Sequence, residues 1–299
     1  MDRALEALAG FDPFGGVGAP RRYLLIDVFS DQPLEGNQLA VFLDGRGLQD
    51  GRMQAIAREL KLSETVFVLP AEDGGDARVR IFTPAAELPF AGHPVLGTAV
   101  ALASALGLQS VCLETGAGPV RVELEPGTGR KRSGEMSQPV PSWAPFEDSA
   151  GLLAALGVER AELPVEEYRN GPRHIIVCIA SEAAVAALEP DLRELERIAG
   201  EALVSCFAGR DGRFKSRMFA PGLGVTEDPA TGSAAGPLAV HCARYGRSEF
   251  GRQIEIRQGA EIARPSLLRA RAEGSAEALE SVHVGGSAVI LARGEMFLG

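Results

Sequence analysis

The sequence of 299 residues has no run of about 18 consecutive apolar residues, so no membrane-spanning helix is expected. Basic residues are outnumbered, with 30 Lys and Arg against 40 Asp and Glu and a net charge of -10. Binding to nucleic acid or to an anionic membrane surface needs clustered basic side chains, so neither partner is expected. Residues 1–20 lack the basic start and the apolar stretch of a signal peptide, which predicts an N-terminal extension on a cytoplasmic protein.

Cysteine is rare, and the four cysteines form no CxxC pair: Cys112, Cys178, Cys206 and Cys242. They lack zinc-ligand spacing and are typical of buried, reduced thiols in a cytosolic protein. The sequence also has no clear cluster of histidines and carboxylates that would bind a metal ion. No metal site is therefore predicted.

Three signatures of common active sites are missing as well. No GxGxxG follows a predicted strand, no GxSxG is present, and no glycine turn has the lysine of a phosphate-binding loop. These absences argue against a dinucleotide cofactor, a serine-hydrolase nucleophile and a nucleotide phosphate. The chemistry is expected to come from acid and base side chains, with no cofactor.

What the sequence does contain is an α/β pattern, over a length that predicts two domains. The first half has predicted strands at 23–29, 39–43, 65–69 and 77–83, and a helix at 50–60. The second half has predicted strands at 174–180, 216–220, 254–257, 262–264 and 282–291, and helices at 181–188 and 193–199. The stretch 127–145, rich in Gly, Pro and Ser, is the predicted domain boundary.

An internal repeat supports two similar halves. Residues 80–84 (RIFTP) resemble 217–221 (RMFAP), and a Pro-x-x-Gly step follows each, at 89–92 and 229–232. An alanine-rich helix is predicted after each step, at 95–105 and 235–243. The repeat predicts two domains that face each other across a cleft.

The two glycine turns, at 90–94 and 230–234, are the first candidates for a ligand site. Free N–H groups and the dipole at a helix start favour an anion such as a carboxylate, and Gly92 and Gly232 allow close approach. Ordinary strand-to-helix turns have the same composition, so this alternative stays open.

Three ionisable residues could move protons, two of them in or just before these turns. Glu64 leads into an apolar strand, where desolvation would raise its pKa and suit it to proton transfer near neutral pH, or it could bond nearby loop amides. His93 lies within the first turn and could be functional or structural. Asp228 precedes the second turn and could act in catalysis or simply cap the loop.

The chain resembles the phenazine-biosynthesis isomerase (PhzF) family from about residue 22 to its end. The matching stretches are GN at 36–37, AVF at 40–42, LSET at 62–65, RIFTP at 80–84, ELPFAGHPVLGTA at 87–99, NGPRH at 170–174, CFAG at 206–209, SRMFAP at 216–221 and EDPATGSAAGPL at 227–238. Gln38 departs from the proline that the family usually has there. The stretches at 170–174 and 264–266 resemble the branch of the family that acts in phenazine synthesis.

The resemblance implies a fold class of α/β (α+β) type shared with diaminopimelate epimerase. Two pseudo-symmetric domains, each a curved mixed sheet around a central helix, would enclose the active site in the cleft between them. The first domain would comprise residues 21–130 plus 286–299, and the second residues 131–285. Related epimerases and racemases carry a catalytic cysteine in each glycine turn, whereas His93 and Ser233 stand here, which disfavours racemisation by two thiols.

The resemblance also implies an activity. The family's substrate is trans-2,3-dihydro-3-hydroxyanthranilic acid, and Glu64 would move its C3 proton to another ring carbon before an enol becomes a ketone. His93 and Asp228 would bind the hydroxyl and amino groups, and Gly92, Gly232 and Ser233 would hold the substrate. A homodimer without cofactor is expected.

Two alternatives remain at this stage. The first is an isomerase or epimerase of the same type that acts on another small amino or hydroxy acid. The second is a ligand-binding protein without activity that kept the cleft.

Overall fold

The computed structural model describes residues 20–127 and 129–298. The predicted N-terminal extension thus lies outside the described residues, apart from Pro20. In the described ranges the helices are α1 (Asp50–Leu60), α2 (Gly92–Leu106), α3 (Ser149–Leu156), α4 (Glu182–Ala186), α5 (Leu192–Ala199) and α6 (Gly232–Arg244). Among these helices, none is both long enough and apolar enough to cross a membrane.

The strands outnumber the helices and form one continuous hydrogen-bonded sheet. They are β1 (Arg21–Val28), β2 (Asn37–Phe42), β3 (Glu64–Leu69), β4 (Ala77–Phe82), β5 (Glu87–Leu88), β6 (Ser110–Thr115), β7 (Gly118–Leu124), β8 (Lys131–Gln138), β9 (Ser142–Pro145), β10 (Glu166–Arg169), β11 (Arg173–Cys178), β12 (Leu203–Arg210), β13 (Arg213–Ala220), β14 (Val225–Asp228), β15 (Ile254–Gln258), β16 (Ser266–Gly274) and β17 (Leu279–Met296).

The first half of the sheet closes around α2. Neighbouring strands follow the order β17-β1-β2-β3-β4-β6-β7-β8, and β8 pairs again with β17. Within this ring, β2–β3 and β4–β6 are parallel and the other pairs are antiparallel. Because α2 is apolar on nearly every face, it is buried inside the ring against strands on several sides.

The second half repeats this arrangement around α6. Its strands follow the order β9-β10-β11-β12-β13-β15-β16-β17, with β11–β12 and β13–β15 parallel. In each half a short strand pairs with the fifth strand of that order and leads into the central helix: β5 pairs with β4, and β14 pairs with β13. The repeated pairing confirms the predicted class of two pseudo-symmetric α/β units with curved mixed sheets.

One long strand belongs to both halves. The start of β17 pairs with β16, and its end pairs with β1 from Ala288 to Met296. Residues 131–145, within the predicted boundary, form strands β8 and β9 and are not an irregular linker. The domain limits at 130/131 and 285/286 stay a prediction.

Two details of the predicted elements need correction. Residues 262–264 do not form a strand, because Gly259 and Ala263 have left-handed backbone conformations and turn the chain around a short 3₁₀ segment at Ala260–Ile262. The two central helices begin three residues earlier than predicted, at Gly92 and Gly232. A proline in the first turn, such as Pro94, removes only an N–H that has no partner in the helix.

Candidate active site

The N-termini of the two central helices meet in the middle of the molecule. A Cβ atom on Gly92 would lie 2.9 Å from the carbonyl carbon of Gly232 and from the backbone nitrogen of Ser233. Only glycine therefore fits at Gly92. Because two helix N-termini point at the same place, their N–H groups and dipoles form a site suited to a carboxylate.

A cleft of about 400 Å³ opens over this junction, a size typical of sites for small molecules. All six predicted site residues line it: Glu64, Gly92, His93, Asp228, Gly232 and Ser233. Much of the remaining wall is apolar, including Leu88, Met218 and Leu223. Among the described residues that line the cleft, none is Lys, Arg or Cys. An anionic ligand there would be bound mainly by helix N–H groups.

Glu64 is the first residue of β3, and its side chain is 15% exposed. Its Oε2 atom lies 3.2 Å from His93 Nε2, yet among the described residues neither atom has a hydrogen-bond partner of suitable geometry. Burial, and secondly the charge of Asp228, raise the pKa of Glu64 well above its ordinary value. The carboxyl group is thus poised to exchange a proton at the cleft surface.

His93 is buried in the first turn of α2. Burial lowers the pKa of His93 to about 3, although a hydrogen bond with the Gln38 backbone opposes this effect. The ring is therefore neutral near pH 7. A neutral imidazole can donate one hydrogen bond and accept another, which suits a group that orients a polar substrate atom.

Asp228 ends β14 and faces Glu64 from the second half of the molecule. Its carboxylate accepts hydrogen bonds from Asn37 Nδ2 at 2.9 Å and from Thr231 Oγ1 at 2.6 Å. Burial raises the pKa of Asp228 to about 6, and the hydrogen bonds from Thr231, Asn37 and Ser63 limit the rise. Asp228 and Glu64 are therefore two carboxyl groups that compete for ionisation.

The pseudo-symmetry of the fold is broken where the chemistry lies. In the parallel pairs, Glu64 lies opposite Leu39 and Leu203 lies opposite His174, so Leu203 occupies the place of Glu64 in the second half. Aligning the two glycine turns likewise sets Leu88 against Asp228, and His93 against Ser233. Leu203, Leu88 and Ser233 thus stand where the other half has Glu64, Asp228 and His93, so none of these three groups is repeated at the equivalent position.

Several polar residues of the site were not predicted from the sequence. Asn37 and Ser63 bond Asp228 from the first half, while Gln138 and Asn170 donate to the carbonyl groups of Gly232 and Ser233 at 2.9 Å. Most of them lie in the motifs quoted above for the family resemblance. Those motifs were the sequence feature from which these residues could have been predicted. Their roles depend on contacts between distant parts of the chain, which the sequence pattern does not reveal.

None of the described residues that line the cleft carries a thiol. The four cysteines are free, and burial raises the pKa of Cys206 to about 12 and that of Cys178 to about 11. No group of three or more His, Cys, Asp or Glu within residues 20–127 and 129–298 is arranged to hold a metal ion.

Comparison with solved structures defines the class of fold. A probable proline racemase from Agrobacterium radiobacter has a TM-score of 0.66 at 14% identity, with 93% of each chain covered. The crystal structure of a phenazine biosynthesis protein of the PhzF family from Bacillus anthracis has a TM-score of 0.83 at 26% identity, covering 94% of this chain and all of that one. The fold is that of the racemase and epimerase class.

Sequence comparison then narrows the class to one family. Residues 26–294 match the model of the phenazine biosynthesis-like (PhzC-PhzF) family. A trans-2,3-dihydro-3-hydroxyanthranilate isomerase from Pseudomonas fluorescens is 51% identical over 276 residues, which cover 92% of this chain and 99% of that protein. The chain belongs to the PhzC-PhzF family, as the resemblance implied.

Proposed function

We propose that this protein is an isomerase that converts trans-2,3-dihydro-3-hydroxyanthranilic acid to its ketone isomer. The observation that carries the proposal is the Glu64 carboxyl group, which is buried at the cleft beside His93 and Asp228 and has no equivalent at Leu203. The 51% identity to a relative named for this activity supports the choice of substrate.

The reaction is a proton shift within one molecule. The Glu64 carboxylate removes the proton from C3 of the ring, and the electron pair of that bond becomes part of a new double bond. The same carboxyl group returns the proton to another ring carbon, so no atom is gained or lost, and the enol then becomes a ketone. A raised pKa suits Glu64 to both steps, because it holds the proton firmly enough to carry it.

The other site residues bind and orient the substrate in this proposal. The substrate carboxylate would lie at the N–H groups of Gly92, Gly232 and Ser233, where two helix N-termini converge. His93 and Asp228 would bind the hydroxyl and amino groups and relay protons during tautomerisation. Near pH 7 the neutral His93 ring can both donate and accept a hydrogen bond, and the largely ionised Asp228 carboxylate can accept a proton.

Substitution of Glu64 tests the proposal directly. Glu64→Gln keeps the shape of the side chain but removes its acid/base function, so we expect turnover to fall by about 10²- to 10⁴-fold. The loss of the dihydro-hydroxyanthranilate is followed by ultraviolet absorbance, with Glu59→Gln, an exposed glutamate at the end of α1, as the matched control. Turnover like that of the wild type in Glu64→Gln would disprove the assigned role.

A related activity on another substrate is the second candidate. This candidate would be supported if the wild-type protein does not convert this compound but isomerises or epimerises another small amino or hydroxy acid. Tight binding of the compound without turnover would instead support a ligand-binding protein.

We further propose that the activity needs no cofactor and that the protein is a cytoplasmic homodimer, as the resemblance implies. Turnover that survives gel filtration into EDTA would agree with the first point. Sedimentation should give twice the chain mass of 31.4 kDa, and a monomer at working concentrations would contradict the second.

A further inference from the structure

Asn37 lies behind the cleft and connects two of the three proposed acid/base groups. It is the first residue of β2, it is 1% exposed, and it does not line the cleft. Its Nδ2 atom donates to Asp228 Oδ1 at 2.9 Å and to the carbonyl of Ala230 at 3.0 Å. His93 Nδ1 lies 3.3 Å from the same nitrogen.

The number of amide hydrogens explains this arrangement. An asparagine amide carries two N–H groups, and its two nearest acceptors are the Asp228 carboxylate and the Ala230 carbonyl. Both acceptors belong to the second half of the chain, whereas Asn37 and His93 belong to the first. The His93 ring packs beside a nitrogen whose direction is already fixed by those two bonds.

The backbone before Asn37 is also fixed. Gly36 has a φ of 71°, and a Cβ there would lie 2.4 Å from the carbonyl oxygen of Val28, so only glycine fits. The Gly36 N–H donates to the carbonyl of Pro265 at 3.0 Å, and its own carbonyl accepts from Arg264 Nε at 2.9 Å. The Asn37 amide is therefore presented to the cluster from a rigid turn.

We propose that Asn37 is a positioning residue, whose amide holds the Asp228 carboxylate against the turn at Ala230 from behind the cleft, with the His93 ring packed beside it. This role rests on the proposed function, in which both groups contact the substrate. Because Asn37 does not line the cleft, its loss should disturb the rate constant more than the affinity for the substrate.

The ionisation of Asp228 gives a readout that a purely structural residue would not change. Asp228 is faced by Glu64 of β3 and by Glu227 of its own strand, which is paired with Arg217. His93 of α2 lies against the same Asn37 nitrogen that donates to Asp228. The hydrogen bond from Asn37 lowers the pKa of Asp228 against the effect of burial. Its loss should raise that pKa, while Thr231 and Ser63 still hold the carboxylate.

The test compares Asn37→Leu, which has the same branched shape but no amide, with a control at Gln38→Ala, whose exposed side chain is next in the strand. We expect kcat to fall by about 10- to 100-fold with KM changed by less than about threefold. In ¹³C-carboxyl NMR of the substrate-free protein, the Asp228 titration should move to higher pH. Asn37→Ala, which removes the amide without adding a charge next to Asp228, replaces the leucine variant if that variant does not fold.

The outcomes separate the two proposals. If kcat and the Asp228 titration in the Asn37 variants match the Gln38→Ala control, the positioning role is disproved, even where thermal stability has dropped. If the wild-type protein does not turn over the compound at all, the proposed function fails, and the NMR titration still decides whether Asn37 acts on Asp228.

Discussion

At the scale of the residue, the site depends on a few carboxyl and imidazole groups whose ionisation is set by burial. Glu64 and Asp228 both have raised pKa values, and His93 has a lowered one. Each shift favours the neutral form, as expected where few counter-charges reach a buried cleft. The molecule therefore maintains reactive groups at a cost to its own stability.

Asp228 allows that cost to be measured. Since the folded-state pKa of about 6 exceeds the ordinary value of 3.8, Asp228 favours folding below pH 3.8, and this contribution is lost as pH rises through 6. The difference corresponds to roughly 3 kcal/mol. The asparagine in Asp228→Asn would not titrate. We therefore expect the free energy of unfolding of Asp228→Asn, measured relative to that of the wild type, to rise by about that much from pH 4 to pH 7.5.

Urea unfolding at a series of pH values measures this gain. Asp211→Asn, at an exposed hairpin turn, corrects for the general effect of removing one negative charge. A difference between Asp228→Asn and wild type that stays constant from pH 4 to pH 7.5 would show that burial does not raise the pKa of Asp228.

At the scale of the element, α6 shows how a helix is adapted to present its N-terminus. Pro237 lies inside the helix and has no N–H, so the carbonyl of Ser233, four residues earlier, lacks its usual partner. Asn170 Nδ2 donates to that carbonyl at 2.9 Å. An asparagine from a distant loop thus completes the first turn of the helix that carries Gly232 and Ser233.

A double-mutant cycle tests this compensation. Asn170→Ala should cost about 1–3 kcal/mol, because it leaves a buried carbonyl without a partner. In a Pro237→Ala background the backbone N–H is restored, so the same substitution should cost about 1 kcal/mol less. Urea unfolding of the four proteins measures the coupling, and equal costs in both backgrounds would contradict the explanation.

At the scale of the whole molecule, the two halves share strands and are not merely linked. β17 pairs with β16 in the second half and with β1 in the first, and β8 pairs with both β7 and β17. We propose that the first domain comprises residues 21–130 plus 286–299 and the second residues 131–285. These domains would be held in register by the shared strands.

Unfolding experiments can show whether the two domains form one cooperative unit. Trp143, the single tryptophan, lies in the second half and packs against Arg244, whose guanidinium carbon is 4.3 Å from the ring centre. Because β17 crosses both halves, we expect the two domains to unfold together. The fluorescence of Trp143 and the far-ultraviolet circular dichroism of the protein should then change in one coincident urea transition. Two separate transitions would mean that the shared strands do not couple the domains.

Much of the local structure was predictable from the sequence. Strand alternation, the helical spacing of residues 50–60 and the repeat of Pro-x-x-Gly steps are short-range patterns, and they predicted most elements and the two-fold plan. The predicted strand at 262–264 was wrong because Ile262 ends a short 3₁₀ segment and Ala263 has a left-handed backbone, where a strand needs an extended one. Left-handed conformations outside glycine leave little trace in a sequence.

The candidate site was only partly predictable, for a physical reason. The sequence by itself determined which residues could carry the chemistry, since His93 and Asp228 stand in or beside glycine turns that start helices and Glu64 leads into an apolar strand. Only the tertiary structure decided that these three face one another and that Leu203 stands where a second acid/base would lie. Burial and contacts across the cleft set their ionisation, and both arise only when strands far apart in sequence pair and close around the central helices.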